Sequence, residues 1–125
     1  MTASWSVEQL DRISQSRELQ IASRRTDGTL RASVPIWVVT LDDSVYVRTW
    51  YRRTTGWFGQ VIGIPEAHIR VPGFEADVIV VDVGAGAPEL RASLDASYSK
   101  KYGPSGSQSM VTDDAAAATL RFDPA

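Results

Sequence analysis

The chain has 125 residues, 43% hydrophobic and 22% charged, with a formal net charge of -2. That is the composition of a soluble globular protein long enough for one core, and a single domain over residues 1–125 is expected. It has no cysteine and a single histidine, His68, which excludes a disulfide frame, a thiolate nucleophile and a cysteine- or histidine-rich metal centre. No run of about 18 apolar residues occurs, and the opening MTASWSVEQLDR lacks the basic-then-apolar order of a secretory signal. A cytoplasmic location without membrane contact is the expectation.

Ser6 reads as the N-cap of a helix over about residues 7–15, with Gln9 as its capping-box partner and Trp5 and Leu10 as a hydrophobic staple. Leu19 to Arg25 alternates, with Leu19, Ile21 and Ser23 on one face and Gln20, Ala22 and Arg24 on the other, as in a half-buried strand. Asp27-Gly28 predicts a two-residue hairpin turn. The returning strand, Leu30 to Leu41, becomes apolar on both faces from Ile36 to Val39, so one face belongs in a core and the other under a helix or a second subunit. Pro35 cannot donate to a ladder and marks a bulge or an end of pairing, the place where a barrel would bend.

Asp42-Asp43-Ser44 turns the chain into a strand from Val45 to Arg52. Thr54 or Thr55 can cap a following helix with Trp57, Phe58, Val61 and Ile62 on its apolar face. Gly56, Gly59 and Gly63 each weaken that helix by about 1 kcal/mol relative to alanine, and Pro65 ends it. Ala67 to Val71 and Phe74 to Val83 form a hairpin across Pro72-Gly73, a type II turn signature. Val78 to Val81 is apolar on both faces and reads as a central strand. Pro88 opens a helix that Gly103 closes, with Leu90, Leu94 and Tyr98 on one side. Pro104 to Ser109 is a polar loop, the alanine run after it is left open, and Thr119 to Phe122 is a last strand. The order predicts a mainly β chain, a six-stranded antiparallel barrel with flanking helices, in competition with a flat sheet covered on one side.

Six of the eleven arginines, Arg24, Arg25, Arg31, Arg48, Arg52 and Arg53, fall between Ile21 and Phe58 beside only Asp27, Asp42 and Asp43, a local charge of +3 in a chain of -2. With Trp50, Tyr51, Trp57 and Phe58 they form the basic, aromatic cluster that a planar anionic ligand requires. The plain alternative is a solvated hairpin surface with cross-strand ion pairs to those three acids, each worth little, and Trp57 and Phe58 as core. An overall acidic balance and only two lysines argue against nucleic acid as a partner. No phosphate-loop or dinucleotide fingerprint occurs, and Gly103 to Ser107 follows a helix, the wrong context for a nucleophile elbow.

The order Ile21 to Arg31 (IASRRTDGTLR), then Val34-Pro35-Ile36-Trp37, Tyr46-Val47-Arg48-Thr49, Trp57-Phe58 and Ile64-Pro65-Glu66-Ala67 resembles the flavin-binding split barrels, which include pyridoxamine 5'-phosphate oxidases and deazaflavin-dependent nitroreductases. Asp95 to Gly103 (DASYSKKYG) is similar to a recurring segment of a bacterial branch of that group. The resemblance spans roughly residues 8–124 and implies a homodimeric split β-barrel that binds FMN or a deazaflavin at the subunit interface and acts as an oxidoreductase on a hydrophobic, aromatic or quinone-like substrate. By position it implies Arg24, Arg25 and Thr26 at the phosphate, Arg48, Thr49 and Trp50 along the ring or ribityl chain, and Arg52, Arg53 and Trp57 closing the mouth. Lys101 and Tyr102 would reach the partner subunit's groove. The hairpin departs from the deazaflavin enzymes in lacking a leading glycine and in placing Asp27, which repels phosphate, beside the basic pair.

A different class of function fits the same groove: a barrel with no cofactor that binds a small molecule or catalyses a cyclisation or isomerisation. Tyr46, Tyr51, His68 and Tyr98 would then be the candidate acid-base groups.

Overall fold

The computed structural model describes residues 4–49, 56–105 and 107–125. Helix α1 spans Val7–Gln15, and its capping box is in place: Ser6 Oγ accepts from Gln9 N at 3.1 Å while Gln9 Oε1 accepts from Ser6 N at 2.8 Å. Trp5, just before it, donates from Nε1 to the Phe122 carbonyl at 2.9 Å and meets the Phe74 ring edge-on at 6.0 Å. Seven strands follow: β1 (Leu19–Ser23), β2 (Val34–Ile36), β3 (Val39–Leu41), β4 (Ser44–Arg48), β5 (Glu66–Val71), β6 (Phe74–Asp82) and β7 (Thr119–Pro124). Between them lie α2 (Gly56–Gly63), α3 (Pro88–Tyr102), a 3₁₀ turn at Gln108–Met110 and α4 (Asp113–Ala117), which is the state of the alanine run.

The sheet order is β2-β1-β5-β6-β7-β4-β3, antiparallel throughout. Its two edge strands, β2 and β3, are separated in the chain only by Trp37 and Val38. The sheet therefore curls round until its edges adjoin, which is the barrel solution and not the flat one. The single strand expected from Leu30 to Leu41 is two strands, and this is the whole difference between six and seven. After Ile36 the chain leaves β1 (Leu19↔Ile36) and, three residues further on, joins β4 (Val39↔Tyr46); Pro35 lies inside β2, opposite Gln20.

Such a break strands backbone polar groups unless something else satisfies them. Val38 N–H donates to Tyr102 Oη at 3.0 Å, and its carbonyl accepts from Lys101 Nζ at 2.7 Å. Tyr102 Oη has one hydrogen and directs it to the Arg17 carbonyl at 2.7 Å. The end of α3 thus serves as the clasp of the barrel. The Trp37 and Tyr102 rings stack over it at 4.1 Å and 3°.

Two cores result. Inside the barrel, Ile13, Leu19, Ile21, Val45, Val47, Ile69, Leu120 and Phe122 pack with Phe58 and Val61 of α2, all buried. Outside it, Val39, Tyr46, Leu94, Tyr98, Tyr102 and Met110 form a second cluster, where α3 covers the outer face of β3 and β4. The apolar second face read from Ile36 to Val39 is covered by this helix. The outer face of β5 and β6 carries Glu66, His68, Arg70, Glu75, Asp77 and a 40% exposed Ile79, so β6 is central in the sheet but apolar on one side only in effect. No helix among the described residues is long and apolar enough to cross a membrane.

Candidate functional site

The β1–β2 hairpin is three residues long at its tip. Arg25 N donates to Thr29 O at 2.8 Å, Gly28 N to Arg25 O at 2.9 Å, and Gly28 takes φ +88°, the glycine of a bulged turn. Asp27 does not adopt the left-handed conformation that a two-residue turn would require of it. Its Oδ1 instead accepts from Thr29 N at 3.0 Å and Thr29 Oγ1 at 2.6 Å. Those bonds, with Arg25 adding a smaller effect, hold the Asp27 carboxyl below its ordinary pKa and direct the charge back into the turn. Thr26 is exposed beside it.

Pleat alternation around the Arg24↔Leu30 pair puts Arg25 and Arg31 together on the opposite face of the hairpin, the face of Ser23. Ser23 Oγ reaches Gln60 Oε1 of α2 at 2.6 Å, so this face looks toward α2. The Arg25 guanidinium donates to Thr29 Oγ1 at 3.3 Å and Leu30 O at 2.8 Å; that of Arg31 donates to Arg24 O at 2.9 Å. Both are thus positioned by neutral oxygens, and neither forms an ion pair among the described residues. Two guanidiniums therefore share one face, with Asp27 near Arg25 as the acid that feels its charge.

Arg24 faces the other way and is neutralised. Its Nη2 meets Asp77 Oδ1 at 3.0 Å, its Nε lies 4.0 Å from Glu66, and its Nη1 donates to Gly28 O at 3.0 Å. His68 Nδ1 shares the same Asp77 oxygen at 2.9 Å, and its Nε2 lies 3.6 Å from Glu75. The His68 contact first, then Arg24, lowers the Asp77 pKa. A groove of about 340 Å³ beside this cluster is lined by Arg24, Gly28, Glu66, Asp77 and Ile79 among others. With two carboxylates to one guanidinium, it repels a phosphate. The cross-strand partners of Arg24 are therefore Asp77 and Glu66, and not the three acids suggested by the local count.

Arg48 is 1% exposed under α3. Its Nε donates to Thr119 Oγ1 at 2.9 Å, its Nη1 to Asp95 Oδ1 at 2.6 Å and to Met110 O at 2.9 Å, and its Cζ lies 5.5 Å from the centre of the Tyr98 ring. Asp95 also lies 3.6 Å from Arg91, which meets Asp113 at 2.7 Å. Arg48 is an internal brace that ties β4 to β7, α3 and the 3₁₀ turn. Its Nη2 and the Tyr98 hydroxyl are buried and have no hydrogen-bond partner among the described residues. Burial pushes the Tyr98 phenol up, which with 0% exposure leaves it no route to donate or accept a proton from a groove.

Thr49, next to Arg48, is buried at 9% exposure. Tyr46 is buried in the outer cluster, and Trp57 packs edge-on to Phe58 at 5.6 Å against the barrel core. Lys101 and Tyr102 are engaged within their own chain, at Val38. Trp50, Tyr51, Arg52 and Arg53 lie outside the described residues. No group of three or more histidine or acidic side chains among the described residues is arranged to hold a metal. The Arg48–Asp95 pair was missed from sequence, although Asp95 stood in the quoted segment; one turn before Tyr98 on the same helix, it was the available counter-charge.

A family model described as uncharacterized protein conserved in bacteria (DUF2255) matches residues 9–122. No curated protein sequence matches. Among solved structures, the heme storage protein HutZ of Vibrio cholerae superposes with a TM-score of 0.70 at 13% identity, over 92% of this chain and 86% of that one. A pyridoxamine 5'-phosphate oxidase-related, FMN-binding protein of Nostoc punctiforme gives 0.57 at 16% identity, over 92% and 75%. An F420 reductase gives 0.55 at 13%, over 92% and 91%. At these identities the likeness is one of fold: the split barrel.

Proposed function

The chain belongs to the DUF2255 family, and on that premise we propose that it is a ligand-binding split barrel that takes a flavin or deazaflavin and serves as a small oxidoreductase. The observation that carries the reading is the pair Arg25 and Arg31: two guanidiniums on one face of the first hairpin, positioned by neutral oxygens, with Asp27 turned into its own loop. They suit the phosphate end of such a cofactor. Arg24 stands behind them, its charge taken up by Asp77, and Arg48 braces the sheet instead of meeting the ligand. Trp50 would lie along the ring, Arg52 and Arg53 would close the mouth, and Trp57 would support the site from the core. When bound, the cofactor supplies the hydride chemistry. The chain's part is to bind it and to hold a hydrophobic, aromatic or quinone-like substrate against it. A homodimer, in which a partner copy completes the groove, is part of the same proposal.

The test is an absorbance spectrum of the native protein, with melting curves before and after addition of FMN and of deazaflavin. A ligand at about a hundred times its Kd raises stability by about 2.7 kcal/mol, a shift of several degrees in Tm for a chain of this size. No flavin-like absorbance and no shift with either ligand defeats the reading.

One observation favours a second ligand. His68, its Nδ1 held by Asp77 at 2.9 Å, has the carboxylate support that metal-binding imidazoles use when Nε2 is the ligand. Heme is then the competing cofactor, and a Soret shift on adding hemin that disappears in His68→Ala would decide for it.

A further inference from the structure

At the end of β1 remote from the hairpin, a groove of about 490 Å³ opens between the exit of α1 and the β5–β6 turn, lined by Ser16, Arg17, Glu18, Gln20, Arg70 and the segment from Val71 to Gly73. That volume is within the range of small-molecule sites, about 300–1,000 Å³. Guanidiniums outnumber carboxylates in its walls. Arg17 is held by an aromatic ring and not by an acid: its Cζ lies 5.5 Å from the centre of the Tyr102 ring. Tyr102 is itself fixed, by its stack on Trp37 and by hydrogen bonds to Val38 and the Arg17 carbonyl. A guanidinium held over a ring face keeps N–H groups available for an anion.

Arg70 projects from the exposed face of β5, opposite Gln20 on β1 and Glu75 on β6. The Glu75 carboxylate reaches toward His68 Nε2, at 3.6 Å, and neither Arg70 nor Arg17 forms an ion pair among the described residues. A third guanidinium stands at the rim. Gly73 has φ +81°, and a Cβ there would lie 2.5 Å from Arg12 Nη1, so the turn is open to Arg12 because it carries no side chain. Arg12 also contacts Glu8, at 3.5 Å on the surface, a weak pair.

We propose that this groove binds the oxyanion end of a small anionic ligand, a phosphate ester or a carboxylate, between Arg17 and Arg70. The site is independent of the proposed cofactor site: the hairpin arginines are at the other end of β1, on the order of 20 Å away at strand spacing. The experiment is a calorimetric titration of the full-length chain at low ionic strength, where such contacts are least screened, with pyrophosphate and with citrate as probes. At least one probe binds the native protein, and Arg17→Gln and Arg70→Gln each weaken it about tenfold or more, the loss of one charge-assisted contact. In a chain that also carries Arg25→Gln and Arg31→Gln, where the hairpin pair no longer competes for the probes, the same two losses are seen, as a distant site should show. Tighter pyrophosphate assigns phosphate chemistry; tighter citrate assigns carboxylate chemistry. Arg70→Gln, on an exposed strand position, gives the answer even if loss of the Arg17 stack disturbs the fold. Absence of binding by both probes, binding unaffected by Arg70→Gln, or binding lost once Arg25→Gln and Arg31→Gln are introduced overturns the proposal, while flavin binding at the hairpin is read separately, from the cofactor's own absorbance.

Discussion

Arg48 carries a full charge at 1% exposure, balanced by Asp95 at 2.6 Å. Removing one member of such a pair leaves the other buried and uncompensated, which costs about 3–5 kcal/mol, whereas replacing both by apolar groups is often nearly neutral. Asp95→Ala should therefore lower stability in urea unfolding by about 3 kcal/mol, near the low end because Asp95 retains some solvent contact. Arg48→Met combined with Asp95→Ala should recover a large part of that loss. A single Asp95→Ala variant as stable as the native chain would show that Arg48 is not braced in this way.

Lys101 gives a pH signature at the same scale. Burial brings its pKa down to about 8, below the ordinary 10.5 that the unfolded chain retains. Between those values the unfolded state binds more protons than the folded one, so this group makes stability rise with pH across the interval. Above pH 10 the raised phenols of Tyr98 and Tyr102 act in the opposite sense, because the unfolded state then ionises first. Unfolding curves between about pH 8 and 9.5 should show stability rising more steeply in the native chain than in Lys101→Met. Equal slopes would mean that the Lys101 ammonium is not desolvated at the clasp.

At the scale of elements, the two early turns exchange the roles that their residues suggest. Asp27-Gly28, a strong two-residue signal, forms a three-residue bulged turn in which Asp27 keeps negative φ and its carboxylate satisfies Thr29. Asp42-Asp43, a weaker signal, forms the tight turn with both residues left-handed, at φ 50° and 63°. Non-glycine residues in that region are strained. Asp43→Gly should therefore stabilise the chain by about 0.5–1 kcal/mol, read as a higher urea midpoint, and Asp42→Asn should be neutral or better. A loss of stability in Asp43→Gly would mean that the carboxylate makes a contact worth more than the strain.

The helices were legible because their signals are local: Ser6 with Gln9, and Pro88 with Gly103, mark ends that the structure keeps. The division of the Leu30 to Leu41 segment was only half legible. Pro35 signals the break only approximately, since it is itself paired with Gln20 and pairing ends one residue later at Ile36, and the strand can break only because Tyr102 and Lys101, more than sixty positions away, satisfy Val38. No local pattern contains that fact.

At the scale of the molecule, the barrel followed from hairpin order and the resemblance, and the strand order with adjacent β2 and β3 edges makes closure a matter of connectivity. The candidate site was less legible. Composition collected six arginines in one stretch, but charge counts carry no direction: alternation sends Arg24 to the acids of β5 and β6, burial takes Arg48 to Asp95, and only Arg25 and Arg31 of the described four share a face with charge to spare. The acids that matter, Asp77 and Asp95, come from distant strands and helices.

The most direct test of the central claim is a fluorescence-quenching titration of FMN and of deazaflavin into the native chain and into the Arg25→Gln, Arg31→Gln double variant. Binding by the native protein, weakened by about a hundredfold or more in the variant, is the predicted result for two charge-assisted phosphate contacts. A cofactor that binds both proteins equally, or neither of them, would contradict it.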